Sequence, residues 1–437
     1  MPHRRELRRV ALSGLLGTTM ENYDFLLYGT LAALVFNQLF FPGLDPLAGT
    51  IAAFGTFAVG YLARPIGGVI CGHFGDRLGR KSMLVATMST MGVGSFLIGC
   101  LPGYTTIGIW APILLTALRA VQGLAVGGEW GGAVLMTAEH AGRQRRGFWS
   151  SFTVVGAPMG ALLSTLAVIA VTALPHPAFL AWGWRVPFLF SAVLLGIGLF
   201  VRLRVTESPV FAEAQQSRRP ERYPVLAVLR RPRALILTTT LGLGPLVLQA
   251  LWSTFVISYA VHLGYPESTV LGGLAIGSAI QLVAIPLVAG ASDRIGRRAA
   301  MLTGAIGTVA LAYPMFALID SGSTVSLLLA LVLGRAVLQV LMYAPWPAVL
   351  TESFGTAERY TGASLGYQLA SLLGGGFAPL IGGGLLAAGR GHSGYVALFV
   401  AASAAATAVA ACLIGETSNA DLAAPATPEA ANAATTT

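Results

Sequence analysis

The chain has 437 residues, of which 55% are hydrophobic and only 10% charged, with a mean hydropathy of +0.73; a water-soluble protein of this size could not cover itself with so little polar surface. The formal charge of +9 comes from 27 basic residues, nearly all arginine and placed in short connections between apolar runs, which argues against nucleic acid as a partner. Cys71, Cys100 and Cys412 lie within or at the ends of apolar segments without CxxC or Cys/His spacing, so neither a disulfide frame nor a metal site is expected.

A bilayer core takes about 20 apolar residues per helix. On that basis spans are predicted near 10–38, 49–72, 82–102, 108–138, 147–173 and 185–203, then near 233–261, 267–290, 299–319, 324–350, 360–388 and 393–414. The first run is too long, and too polar at its centre, for a cleaved signal peptide. The longest polar connection, 206–232, is rich in Arg and broken by Pro209, Pro220 and Pro224; it separates a first bundle (1–205) from a second (233–414). Residues 415–437, rich in Ala, Thr and Pro, read as a disordered tail. The predicted fold class is an all-α polytopic membrane protein with twelve transmembrane helices in two six-helix bundles.

Basic residues set the orientation. The N-terminal arm (Arg4, Arg5, Arg8, Arg9), the 2–3, 4–5, 8–9 and 10–11 loops and the central connection with its flanks (202–233) hold 22 Lys and Arg. The opposite side holds Arg185 and Arg390, so both termini are expected in the cytoplasm.

The halves echo each other. GHFGDRLGRK at 72–81 returns as AGASDRIGRR at 289–298, placing Asp76 and Asp293 217 residues apart. Arg119 and Arg335 are 216 apart, while Glu139 and Glu352, like Arg146 and Arg359, are 213 apart. Two parallel halves, each with a charged hairpin on one side, form the pattern of a secondary transporter. Ala289 stands where the first copy has Gly72, which weakens the case for a tight helix approach at the second hairpin. Gly156 and Gly160 around Pro158 give span 5 a small-residue packing face.

Ionisable groups at bilayer depth cost on the order of 3 kcal/mol or more, so each needs a partner or a purpose. In span 1, Glu21 and Asp24 share a face with Tyr28 one turn on. Two close carboxylates disfavour double ionisation and can exchange a proton, or they simply neutralise Arg64 or Arg119. Span 4 carries Arg119, Gln122 and Glu129 within about 80° of arc, a stripe that faces a cavity or another helix. Span 7 brings Gln249, Trp252 and Tyr259, span 10 brings Arg335, Gln339, Tyr343 and Trp346, and span 11 brings Tyr367 and Ser371. The second half has no membrane-embedded acid to neutralise Arg335, and a lone guanidinium grips a carboxylate with two parallel hydrogen bonds. Interhelical packing with satisfied polar tips is the alternative for each of these residues. The candidate proton-coupling residues are Glu21, Asp24, Arg119 and Glu129. The candidate substrate residues are Tyr28, Arg64, Gln122, Gln249, Trp252, Arg335, Gln339, Tyr343 and Tyr367.

ENYDFLLYG (21–29), LARPIGG (62–68), LRAVQGLAVGGEWGGA (118–133), WGWRVPFLFS (182–191) and RYTGASLGYQLASLLGGGFAP (359–379), with the first hairpin, resemble the metabolite:proton symporter family of the major facilitator superfamily across residues 10–414. The resemblance implies that Arg119 takes part in proton transfer. It also implies a cytoplasmic gate of Asp76, Arg77, Arg80 and Glu139, repeated as Asp293, Arg294, Arg297 and Glu352. Asp76 would act through ion pairs and a helix dipole, with Glu139 facing Arg77 or Arg80 and Glu352 facing Arg294 or Arg297.

The expected function is uptake of a small organic acid, shikimate-like or a related carboxylate, by a monomeric proton symporter of the bacterial inner membrane, with the proton gradient in place of any cofactor. A zwitterionic osmolyte such as proline or betaine is the alternative, and it predicts an aromatic cage in the cavity. An ATP-driven pump is excluded for this chain alone: its only lysine, Lys81, follows Arg80 rather than the glycine of a GxxxxGK[ST] loop. Nothing matches HExxH and no Ser/His spacing persuades, so an enzyme is not expected.

Overall fold

The computed structural model describes residues 2–44, 46–141, 145–207, 224–355 and 358–418. The described residues form twelve long helices. The first half holds α1 (Pro2–Leu31), α2 (Pro46–Leu78), α3 (Arg80–Cys100), α4 (Trp110–His140), α5 (Arg146–Thr172) and α6 (Arg185–Leu203). The second holds α7 (Pro232–His262), α8 (Glu267–Ile295), α9 (Arg297–Asp320), α10 (Thr324–Glu352), α11 (Arg359–Ala388) and α12 (Gly394–Ile414). Ten of these meet the length and apolarity needed to cross a bilayer, and α1 and α2 complete the twelve. Most of the central connection lies outside the described residues.

Each predicted span centres on one helix, span 1 continuing past α1 through a π turn at Ala32–Phe36 into Asn37–Phe40, and the helices outrun the spans on the hairpin side. The α1 helix begins at Pro2, so the described arm residues Arg5, Arg8 and Arg9 are already helical. The signature decapeptide is helical up to Leu78 and again from Arg80, which leaves Gly79 alone as the corner. Gly79 has φ 106° and its counterpart Gly296 has φ 98°, a region that side-chain-bearing residues rarely enter. The outward stripe of α2, made of Leu62, Ile66, Ile70, Phe74 and Leu78 at four-residue intervals, is exposed and apolar. A soluble helix would put polar groups there; a lipid-facing one does not.

Within the first half α1 packs on α5 and α2 on α4, while α3 packs on α4 and α6. A Cβ on Gly156 or Gly160 would meet the α1 carbonyls of Leu15 or Thr19 within 2.7 Å, so that small-residue face is a packing face. The halves meet through α2 against α11, α5 against α8 and α4 against α11. Wide π turns interrupt α7 at Leu251–Phe255, α10 at Leu333–Leu338 and α11 at Ser371–Gly376. Each shifts the angular register of the turns downstream of it.

Candidate functional site

Both acids of α1 are buried, and they address different partners. Oε1 of Glu21 lies 3.9 Å from Nη2 of Arg64 on α2. Asp24 is 2% exposed and accepts two serine hydroxyls at 2.5 Å, Ser95 of α3 on Oδ2 and Ser191 of α6 on Oδ1. The mutually repelling pair expected from their spacing is therefore two separately partnered acids. A three-residue step leaves side chains about 60° apart around a helix, enough to aim them at different neighbours.

Arg119 makes no direct ion pair with Asp24 among the described residues; hydrogen bonds connect them instead. Its Nη1 donates to Oε1 of Gln122 at 3.3 Å, and Nε2 of Gln122 donates to Ser95 Oγ at 2.7 Å. Both guanidiniums lie over the Phe25 ring, Arg64 at 4.2 Å and Arg119 at 4.4 Å from its centroid. Arg64 also covers Tyr61 and Arg119 covers Tyr28, whose hydroxyl is bonded to Thr56 at 2.5 Å. Nε of Arg64, with Nε and Nη2 of Arg119, is buried without a hydrogen-bond partner among the described residues.

Glu129 lies farther along α4 than Arg119, against Gly17 of α1, one turn from Glu21. It pairs with Arg202 of α6 at 2.7 Å and accepts Thr87 of α3 at 2.7 Å, while Arg202 also reaches Ser13 of α1. Ten residues of helix put it about 15 Å from Arg119 along α4. The geometry is that of a clasp joining four helices, out of reach of Arg119 but set against the α1 turn that precedes Glu21.

In the second half Arg335 is 8% exposed and has no acidic partner among the described residues. Its Nη1 donates to Ser253 of α7 at 2.7 Å, and its Nε is unpartnered. Gln281 of α8 takes the Arg335 carbonyl at 2.9 Å and donates to Oε1 of Gln339 at 2.6 Å, which commits Gln339 to the bundle interior rather than to a solute. Trp252 needs the same correction: it is fully buried, donates to the Ala330 carbonyl at 3.3 Å and packs on Phe316. Gln249 keeps a buried, unpartnered Oε1.

An aromatic layer closes the space between the halves. Trp130 of α4 stacks on Tyr367 of α11 with centroids 3.7 Å apart, Trp346 leans on Tyr367, and the hydroxyls of Tyr343 and Tyr367 are 3.5 Å apart. Nearby, Gln368 crosses to the carbonyls of Val126 and Gly127. Tyr367 is eight residues into α11, so the layer stands about 12 Å from the hairpin ends.

At those ends the halves are tied symmetrically. Asp76 accepts the N–H groups of Tyr360 (3.2 Å) and Thr361 (3.0 Å) at the start of α11, and the Thr361 hydroxyl as well. Asp293 accepts the N–H groups of Gly147 (2.8 Å) and Phe148 (2.9 Å) at the start of α5. Neither helix has a side-chain cap of its own, so each is capped by the opposite half. Glu139 pairs with Arg80 of its own half and with Arg359 across the interface at 3.2 Å. Glu352 pairs with Arg297 at 3.5 Å and across the interface with Arg146 at 2.9 Å. Arg77 and Arg294, the alternatives, are exposed and take no part in the tie. The small residue also trades places: Gly72 sits against Thr361 at the first hairpin, whereas at the second the glycine is Gly147 of α5, close to the Ala289 carbonyl.

Several participants escaped the sequence reading. Arg146 and Arg359 were marked only by their repeat offset, and Arg202 was counted with the central connection. Four residues of the presumed tail are described, and two of them dock: Glu416 accepts the N–H groups of Arg297 and Arg298 at the start of α9, and Thr417 donates to Glu352 at 2.6 Å. Glu207 does for Lys81 on α3 what Glu416 does on α9, a repeat of 209 residues.

A family model described as Major Facilitator Superfamily matches residues 25–379. The shikimate transporter of Escherichia coli (strain K12) is 43% identical over 94% of this chain and 95% of its own length. The inner membrane metabolite transport protein YhjE of the same strain is 40% identical over 94% of each chain. A proline/betaine transporter of Salmonella typhimurium is 34% identical over 85% of this chain and 76% of its own. Among solved structures, a proton:xylose symporter bound to 6-bromo-6-deoxy-D-glucose superposes with a TM-score of 0.77 over 96% of this chain and 98% of its own, a likeness of fold at 17% identity.

Proposed function

The chain belongs to the Major Facilitator Superfamily, and from that premise we propose that it is a proton-coupled symporter of the bacterial inner membrane that takes up a small organic acid, shikimate or a related carboxylate. It is a transporter and not an enzyme. The observation that carries the proposal is the buried set of Glu21, Arg64, Asp24 and Arg119, two acids and two bases, with guanidinium N–H groups left over. An anion entering alone would leave unbalanced charge in a medium where charges interact strongly; an anion entering with a proton keeps the set neutral. A proton on Glu21 frees Arg64 for the solute carboxylate, a proton on Asp24 removes the negative charge opposite Arg119, and Arg335 supplies a further cation from the other half.

With both termini and the hairpins cytoplasmic, the tie between the halves closes the inner side, and the solute enters from the periplasm. The two bundles then rock about the aromatic layer, the proton gradient is the energy source without a cofactor, and the working unit is a monomer. In the first half Phe25, Tyr28 and Tyr61 already carry guanidiniums and are not free to cage a quaternary ammonium, which favours the acid over the osmolyte at that end of the cavity.

Uptake by proteoliposomes of labelled shikimate, other carboxylates and betaine, with and without an imposed pH gradient, tests the proposal. Gradient-driven accumulation of an acid, abolished by a protonophore, is the expected result. Accumulation of betaine in preference to every acid would overturn it.

A further inference from the structure

The two serines flanking Asp24 have no place in a scheme of acids, guanidiniums and solute alone. Ser95 and Ser191 are fully buried on α3 and α6, and each holds a different oxygen of the acid. Hydroxyls in membrane helices commonly bond their own preceding turn, as Ser89 does to Val85 and Thr116 to Pro112 in this same bundle. Ser95 and Ser191 turn instead to the acid.

Their roles differ. The oxygen of Ser95 accepts Gln122, which in turn holds Arg119, so the single hydroxyl proton of Ser95 is directed at Asp24. Among the described residues Ser191 has no second partner of this kind holding its orientation, and a hydroxyl that can turn offers a lone pair as readily as a proton. The charged group facing Asp24 from a neighbouring helix is Arg119 of α4. On α1 itself Tyr23 donates to the Pro187 carbonyl and Glu21 faces Arg64 of α2, while α3 and α6 bring only these hydroxyls.

We infer that Ser95 and Ser191 are positioning residues that set the proton affinity of Asp24, Ser95 as a fixed donor tying the acid to Arg119 through Gln122 and Ser191 as the hydroxyl that turns to accept its proton. This rests on Asp24 being a proton carrier, as in the proposed function. A substrate carboxylate drawing Arg119 away from Gln122 would loosen Ser95 and so change the hold on the proton. Occupancy and protonation are coupled through neutral groups.

The test is gradient-driven uptake by the full chain in proteoliposomes as a function of external pH. Ser95→Ala removes a fixed donor to the carboxylate, and the pH of half-maximal uptake rises by about one unit; Ser191→Ala removes a donor to the carboxylate and an acceptor for its proton together, and the profile moves by less. Ser95→Cys and Ser191→Cys keep the volume with a weaker donor and move the profile the same way by less; they serve if the alanine variants do not reconstitute. Reduced uptake on an unchanged pH profile in these variants would overturn the inference. Asp24→Asn is measured in parallel. If it still concentrates the acid under a pH gradient, the proton-carrying reading of Asp24 fails. If it only exchanges substrate while the serine variants keep the parental profile, the serine inference alone fails.

Discussion

Arg119 and Arg335 occupy equivalent places in the two halves, yet only the first has acids nearby. The bonds of Arg119 lead through Gln122 and Ser95 to Asp24, whereas Arg335 has Ser253 and a spare Nε. That asymmetry makes Arg335 the sharper test of anion binding. Arg335→Gln is expected to raise the KM for the acid by about 30-fold or more, the cost of losing a buried charge partner, with Arg335→Lys recovering part of it. Uptake kinetics measure this, and an unchanged KM would remove Arg335 from the site. The pairings of individual residues were only partly legible in the sequence. The charges were visible because charge in an apolar run is rare. Ser95 and Ser191 were not, because a lone serine in such a run more often bonds its own backbone. The bonds of Trp252 to the Ala330 carbonyl and of Gln339 to Gln281 were not legible either, because a helical face in the sequence does not say which neighbouring helix it meets.

At the scale of helices, the unusual feature is capping by borrowed carboxylates. The starts of α5 and α11 depend on Asp293 and Asp76 from the opposite half, and those of α3 and α9 on Glu207 and Glu416 from within their own. A cap is worth about 1 kcal/mol, more when a full negative charge meets the helix end. Asp76→Asn should therefore slow uptake far more than it weakens binding, because it acts on the closed state and not on the solute; equal losses in rate and affinity would count against a gate. Glu416 offers a pH test outside the membrane. Burial alone would raise its carboxyl, but the N–H groups of Arg297, Ser418 and Arg298 outweigh burial and hold it below its usual 4.5. A lowered native value means the cap contributes fully above the ordinary carboxylate range and fades as pH falls through the native value. Glu416→Gln should lower Tm at pH 7 by a few degrees, and the gap should close as pH falls through the lowered native value of the carboxyl. The repeat of Glu207 and Glu416 was present in the sequence, but an alanine-rich surrounding read as a tail concealed it.

The architecture of the whole molecule was the most legible part, since long apolar runs, basic loops and a parallel echo of some 217 residues leave few alternatives. The same echo identified Arg146 and Arg359 as equivalents without revealing that each crosses to the other half, because a repeat offset encodes equivalence and not contact. Neutralising both cross-links, as Glu139→Gln with Glu352→Gln, should shift the population toward the inward-open form. Labelling of single cysteines introduced on the cytoplasmic ends of α5 and α11 would report it, and unaltered labelling would mean the ties do not hold the closed state.

Each half owns a matched quartet at its rim: Asp76, Glu139, Arg80 and Arg146 in one, Asp293, Glu352, Arg297 and Arg359 in the other. The four charges of each quartet cancel, and the further basic residues of the hairpins repel rather than attract, so little pull survives once water slips between the halves. Such a latch grips only at contact. It can hold a barrier shut and, a few ångströms later, offer no resistance to its swinging wide.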